Sequence, residues 1–321
     1  MVQAMAAHGT GGPEVLGLVD VPSAAVGPAE VRVAVRFSGV NFWDVMQRRG
    51  LVPLGPGSVP GVEGVGEVIE VGAEVDSLRV GDRVAWSKVV GSYAQQVVGA
   101  AWMFVPVPAG LADEDAARVL MQGVTAQYLA ESTWTLETGD SAVVMAAAGG
   151  VGTLLTQFLG ARGVRVVGVV SRDDKKAAAL EAGAADVVVD SERFVDDVRS
   201  IVPDGAGAVF DANGGESALR GLELLRTRGA LVLYGAAGGP VPPLDLGRLG
   251  DGSLYVTRAA GRDYARTPEE WRSRADDVLA RAGEGTLRAV AGGMWPLSEA
   301  AEAHRHLESR ASTGKLLLAI S

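Results

Sequence analysis

One stretch in mid-chain constrains the fold more than any other. The apolar run Ser141–Met145 leads into Ala146-Ala147-Ala148-Gly149-Gly150-Val151-Gly152, and residues 153–161 then have a helical composition. A buried strand feeding a glycine-rich turn and a helix is how a βαβ unit holds a dinucleotide. The glycines permit a tight turn and bring backbone N–H groups up to a pyrophosphate at the helix N-terminus. With 44 glycines in 321 residues, a glycine cluster alone carries little weight; its flanking elements carry the reading. About twenty residues further on, the strand-like segment 164–170 ends at Ser171-Arg172, where this fingerprint places the group that reads the adenosine ribose.

The length allows two domains, each with its own core. Apolar residues make up 48% and charged residues 21%, the balance of a soluble globular protein. A net charge of −10, with basic residues scattered among acids, argues against nucleic acid as a partner. There is no cysteine, which rules out disulfides, thiolate catalysis and thiolate metal ligands. The histidines are His8, His304 and His306. The last two lie in a charged helical stretch, Glu302 to Glu308, at a spacing that puts them on different faces. A solvated face is expected there, and no zinc site.

The start, Met1 to His8, lacks the basic residues and apolar core of a signal peptide. Residues 142–161 are twenty uncharged positions, long enough to cross a bilayer. They include Gly149, Gly150, Gly152, Gly160, Thr153, Thr156 and Gln157, a composition better explained by a buried strand, turn and helix. The expectation is a cytoplasmic protein without a membrane span.

The first hundred or so residues read as β-rich. Residues 31–37 alternate with period two, as in a half-buried strand. Residues 61–72 are a glycine-punctuated strand pair or bent strand, and 81–86 another strand; such glycines fit a small distorted barrel. Pro106, Pro108 and Gly110 mark a connector, and Asp113, Glu114 and Asp115 open a helix with acids at its positive end. Strands are then expected at 143–147, 164–170, 186–190, 207–211, 230–234 and 254–256, with helices between them such as 174–182 and 217–225. This alternation predicts a doubly wound parallel sheet. The tail, with helices and a last strand at 315–320, is too short for a third core and is expected to rejoin the first domain. The domains are therefore drawn as 1–118 (β-rich), 119–258 (Rossmann) and 259–321 (return to the first).

This order resembles the medium-chain dehydrogenase/reductase superfamily: a GroES-like barrel domain, a mid-chain Rossmann fold and a returning tail. Several strings are similar to zeta-crystallin-type NADPH:quinone oxidoreductases. They are Gly39-Val40-Asn41 with Asp44, residues 61–66, Gly81-Asp82-Arg83-Val84, residues 146–152, residues 252–258 and residues 307–311. The resemblance covers essentially the whole chain. Zinc-dependent relatives carry histidine directly before the glutamate of a Gly-His-Glu motif. Here that position is Val62, and without cysteine the zinc branch is excluded by chemistry as well.

The resemblance implies a set of site residues. Asn41 and Thr125 match polar positions beside the nicotinamide, with positioning roles. Gly149, Gly150, Val151 and Gly152 match the pyrophosphate turn, and Ser171, Arg172 and Lys175 the 2′-phosphate site. Tyr234 with Gly235 matches an aromatic at the end of the fifth strand, and Arg310 a late arginine that returns to the cofactor. Charge agrees independently: an NAD site usually ends its second strand in Asp or Glu, whereas Ser171-Arg172 offers a hydroxyl and a guanidinium to a phosphate dianion. Asp173 and Asp174 oppose this, and are read as solvated acids at a helix start. NADPH is the expected cofactor.

Met46 and Val52 stand where relatives often carry tyrosines near the substrate mouth, Asp190 replaces another tyrosine and Met145 a histidine. A more apolar substrate pocket is expected. The reaction implied is hydride transfer from NADPH to a quinone or similar conjugated carbonyl acceptor, whose anion is delocalised and can be protonated by water. Two rivals stand beside it: reduction of a conjugated C=C bond in an enone or enoyl thioester, and a non-catalytic NADPH-binding scaffold. Relatives pair through the segments 231–234 and 253–258, which implies a homodimer.

Overall fold

A computed structural model describes residues 1–55, 57–309 and 311–320. By internal packing the chain divides into two units: Met1–Met121 with Thr267–Ser321, and Gln122–Arg266.

The first unit begins with an antiparallel hairpin, β1 (Val2–Ala7) and β2 (Leu16–Val21). The alternating segment becomes β3 (Glu30–Val40), whose Val31, Val33 and Val35 face the core while the residues between them are half-buried. A short helix, α1 (Phe42–Arg48), follows. Then come β4 (Gly64–Val71), β5 (Arg83–Trp86), β6 (Gln96–Ala100) and β7 (Val105–Pro106). The glycine-punctuated stretch thus forms one strand, which pairs with β3 through two register irregularities. Asp113, Glu114 and Asp115 open α2 (Asp113–Tyr128), as their charge at a helix N-terminus favours.

The second unit alternates strand and helix. It runs β8 (Ser141–Met145), α3 (Gly150–Ala161), β9 (Arg165–Val170), α4 (Lys176–Glu181), β10 (Asp186–Val189), α5 (Phe194–Ile201), β11 (Ala206–Asp211), α6 (Gly215–Gly221), β12 (Leu225–Leu233), α7 (Gly247–Gly250) and β13 (Tyr255–Arg258). All neighbouring strands are parallel, in the order β10-β9-β8-β11-β12-β13. The central strands β8, β9 and β11 are apolar runs buried on both faces, the expected composition of a covered parallel sheet. The uncharged stretch 142–161 is β8, the turn and α3. Among the described residues no helix is long and apolar enough to cross a membrane.

The returning segment supplies α8 (Pro268–Gly283), β14 (Ala291–Pro296), α9 (Ala300–Glu308) and β15 (Lys315–Ala319). The first unit's large sheet runs β14-β15-β3-β4-β5-β7, with β6 also on β3. The α9 stretch corrects an expectation. His304 is fully buried, not part of a solvated face. Ala300, Ala303, His304 and Leu307 recur at helical spacing and form the inward stripe, while Glu302 and Arg305 take the solvent side.

Candidate functional site

In the second unit the chain moves outward from β8 through β9 to β10, then restarts beside β8 at β11 and moves the other way. A sheet built this way has a switch point between β8 and β11, and the crevice outside the strand C-termini there is where such folds take ligands. The turn at 146–152 leaves the C-terminus of β8, Ser171–Lys175 leaves the neighbouring β9, and Tyr234 with Gly235 leaves β12. The structure therefore brings these residues to one edge of one sheet.

The turn is built differently from a simple reading of its glycines. The left-handed backbone falls on Ala146, at φ 54°, while Gly149 is extended at φ −82°. Gly152 serves close approach: a Cβ there would run into the Ala146 carbonyl. Helix α3 then starts without a side-chain cap and without an acidic residue in its first turn. Its first backbone bond is from Thr153 N–H to Gly149, at 3.0 Å. The N–H groups of Gly150, Val151 and Gly152 have no backbone acceptor among the described residues. By contrast, Thr267 caps α8 by accepting from Glu270 N–H at 3.2 Å. An uncapped, positively polarised helix end beside a close-packed turn fits a pyrophosphate.

Beyond β9, Ser171 and Arg172 are exposed and Lys175 is 8% exposed. Burial, with the neighbouring Arg172 charge, holds the Lys175 ammonium below its ordinary pKa. Arg172 grips Asp174 with two bonds, Nε–Oδ1 at 3.0 Å and a terminal nitrogen to Oδ2 at 2.7 Å. Asp174 is therefore a partner of Arg172 and not only a solvated acid. Asp173 pairs with Lys176 at 2.9 Å. Two cations and a hydroxyl at the end of the second strand suit a phosphate. The hydroxyl of Tyr234 is buried with no partner among the described residues, and its pKa is pushed well up by burial. Thr125 is half-buried on α2. Arg310 lies outside the described residues.

In the first unit Asn41 is the N-cap of α1. Its backbone N–H donates to Asp44 Oδ2 at 2.8 Å, and a reciprocal capping box forms with the Asp44 backbone. Its side chain is held from both ends: Nδ2 donates to Glu63 Oε1 at 2.7 Å, and Oδ1 accepts from Lys315 Nζ at 2.8 Å. Lys315 also forms an ion pair with Glu63. Breaking such a buried pair by removing one partner costs roughly 3–5 kcal/mol. Met46, on the same helix, accepts backbone bonds from Leu51 at 2.9 Å and Val52 at 3.3 Å, so helix and following loop form one piece. Met46 and Val52 are half-buried.

Glu63 stands in the sequence only as part of a matching string, and nothing there singles out Lys315. Lys315 heads an apolar strand, where a buried cation has no periodic signature. Among the described residues no group of three or more His, Cys, Asp or Glu side chains could hold a metal ion.

A GroES-like unit joined to a doubly wound parallel sheet with an open α3 terminus defines a medium-chain dehydrogenase/reductase. Residues 27–130 match the family described as alcohol dehydrogenase GroES-like domain, and residues 150–281 that described as zinc-binding dehydrogenase. The quinone oxidoreductase of Pseudomonas aeruginosa is 40% identical over 314 residues, covering 96% of each chain. A 2-haloacrylate reductase from a Burkholderia species is 32% identical, covering 99% of each. The crystal structure of Escherichia coli quinone oxidoreductase complexed with NADPH superposes with a TM-score of 0.95 at 33% identity, covering 99% of both chains. The chain belongs to the quinone oxidoreductase family of the medium-chain dehydrogenases/reductases.

Proposed function

We propose that this protein is a zinc-independent, NADPH-dependent oxidoreductase that reduces a quinone or similar conjugated carbonyl acceptor, acting as a cytoplasmic homodimer. The observation that carries the cofactor choice is the pairing of Arg172 and Lys175 beyond β9 with the uncapped start of α3. The N–H groups of Gly150, Val151 and Gly152, with Gly149 keeping the approach clear, receive the pyrophosphate. Ser171, Arg172 and Lys175 receive the 2′-phosphate, and Tyr234 and Gly235 line the path beyond β12. Arg310 keeps the late cofactor contact that the family resemblance implies. When bound, the cofactor supplies the hydride.

Asn41 and Thr125 orient the nicotinamide carboxamide or the acceptor carbonyl, and neither needs to act as a base. The delocalised acceptor anion takes its proton from water, so the protein's work is alignment and exclusion of bulk solvent. Met46 and Val52 give an apolar lining that suits flat acceptors. With domain limits of 1–118, 119–258 and 259–321, the first segment carries Asn41, Met46 and Val52, the middle one carries Thr125 and the cofactor residues from Gly149 to Gly235, and the last carries Arg310. The edge strand β13, with Tyr255 exposed, supplies the dimer contact together with the end of β12. Light scattering giving a monomer mass at micromolar concentration would reject that pairing.

A second reading, reduction of an electron-poor C=C bond, is favoured by the 2-haloacrylate reductase relative. Steady-state NADPH oxidation against benzoquinones, polycyclic quinones, enones and 2-haloacrylates separates the two. Quinone turnover supports the proposal. Turnover of enones or haloacrylates alone supports the second reading, and stoichiometric NADPH binding with no turnover points to a scaffold.

A further inference from the structure

The three residues Asn41, Glu63 and Lys315 come from three adjacent strand ends. Asn41 directly follows β3, Glu63 directly precedes β4, and Lys315 opens β15, which pairs with β3 at Leu316↔Val40. All three are nearly closed off from solvent, at 8%, 1% and 2% exposure. Gly39 leaves the space they occupy, since a Cβ there would collide with the Glu63 carboxylate. Lys315 Nζ reaches the Val40 carbonyl at 3.3 Å as well, so the ammonium is anchored to the strand that ends at Asn41.

An ammonium has only donors and a carboxylate only acceptors. With Lys315 on its oxygen and Glu63 on its nitrogen, the Asn41 carboxamide has one tolerable orientation. A 180° flip would turn its NH2 toward the ammonium and its oxygen toward the carboxylate, two like-polarity contacts in a site shielded from water. The pair also polarises the amide in one direction, which strengthens Nδ2 as a donor. A buried ion pair is an inefficient way to stabilise a fold compared with apolar packing, which leaves the orientation of Asn41 as its distinctive effect.

We propose that Glu63 and Lys315 are positioning residues for the reaction, which act by fixing and polarising the Asn41 carboxamide. This rests on the orienting role of Asn41 proposed above. It predicts that their effect on turnover runs through Asn41 and is separable from their effect on folding.

The test uses the full-length protein and the variants Lys315→Met, Lys315→Arg, Glu63→Gln, Asn41→Ala, the neutral pair Glu63→Gln/Lys315→Met, and Asn41→Ala/Lys315→Met. Lys315→Met and Glu63→Gln should each lower kcat about tenfold or more, with the NADPH Kd within about twofold of wild type, because the proposed cofactor contacts lie mainly in the second unit. Lys315→Arg should retain more kcat than Lys315→Met, because it keeps the cation although not the compact ammonium. Adding Asn41→Ala to Lys315→Met should cost little further, the non-additivity of residues acting as one group. The neutral pair should regain thermal stability relative to either single variant but not kcat. A neutral pair that regains kcat along with stability, or an Asn41→Ala effect that multiplies independently, overturns the proposal. A readout without turnover is the side-chain amide of Asn41 by 15N NMR. Its two protons should exchange with solvent slowly in the wild type and rapidly in the neutral pair. Unchanged amide signals in that variant also overturn it. A wild type that turns over no acceptor counts against the proposed function, whereas the amide signals judge the positioning role by themselves.

Discussion

The hydroxyl of Tyr93 lies 3.0 Å from Nε2 of His304, with the two rings edge to face at 84° and their centroids 5.8 Å apart. The same hydroxyl donates to Asp44 Oδ2 at 3.2 Å. Since a hydroxyl has one proton, His304 must donate through Nε2, and its Nδ1 is the bare nitrogen, consistent with its having no partner among the described residues. The last helix is thus tied through Tyr93 to the carboxyl that caps α1. Burial raises the Asp44 pKa to about 7. Burial, with the nearby Arg48 charge, lowers that of His304 to about 3.

These opposite shifts predict a hidden compensation. Between about pH 4 and 6.5 the unfolded chain carries an ionised Asp44 and a charged His304, while the folded protein holds the carboxyl protonated and the imidazole neutral. The Asp44 contribution falls as pH rises from about 4 to 7, because the folded state binds the extra proton. The His304 contribution rises with pH from about 3 to 6.5, because the unfolded state binds it. Each slope is about 1.4 kcal/mol per pH unit, and in the wild type they oppose one another. Urea unfolding across pH 4–7 should show Asp44→Asn gaining stability relative to wild type as pH rises, and His304→Gln losing it. Difference curves that stay parallel to the pH axis would remove the argument.

For the cofactor, Arg172 is the residue to change first. Fluorescence titration should show NADPH binding much more tightly than NADH. Arg172→Ala should weaken NADPH by about tenfold or more, in line with a charged hydrogen bond of roughly 1.5–3 kcal/mol, and leave NADH nearly unchanged. Asp174→Asn should act in the other direction, because NADPH need no longer displace a carboxylate from the Arg172 guanidinium. Equal affinities for the two cofactors in the wild type would defeat the assignment.

Metal removal makes a clean test of the zinc-independent reading. With no cysteine in the chain and Val62 directly before Glu63, elemental analysis of the purified protein should find no stoichiometric zinc, and prolonged chelation should leave NADPH-dependent turnover unchanged. Glu63 is engaged by Lys315 and Asn41. Loss of activity on chelation, restored by zinc, would overturn the reading.

How much was legible in the sequence follows from which signals are local. The parallel sheet was readable because each strand of the second unit is an apolar run bounded by turns, and all six expected strands are present within a few residues. The strand β14 escaped because Ala291–Pro296 contains two glycines and a proline and is mostly exposed, with no alternating apolar pattern. The cations at Arg172 and Lys175 were visible by position. The grip of Asp174 on Arg172 was not, because side-chain pairing is a matter of rotamer and not of spacing. His304 was misjudged through the charged residues around it, although Ala300, Ala303 and Leu307 at helical spacing marked its face as inward. The Glu63–Lys315 pair joins positions 252 apart in sequence, and only the pairing of both β15 and β4 with β3 brings them together.

The last prediction concerns acceptor size. Val52 donates its backbone N–H to Met46, so a larger side chain at Val52 acts beside Met46 on the same rigid helix and loop. Both side chains are half-buried and apolar. Val52→Tyr should therefore fill space that a wide acceptor needs. Overpacking costs about 1–3 kcal/mol, so kcat/KM for a polycyclic quinone should fall about tenfold relative to that for benzoquinone. Thermal stability should change little, because Val52 lies on a loop outside the main cores. If both quinones lose equally, Val52 does not line the acceptor path, and its assignment as a substrate-lining residue fails.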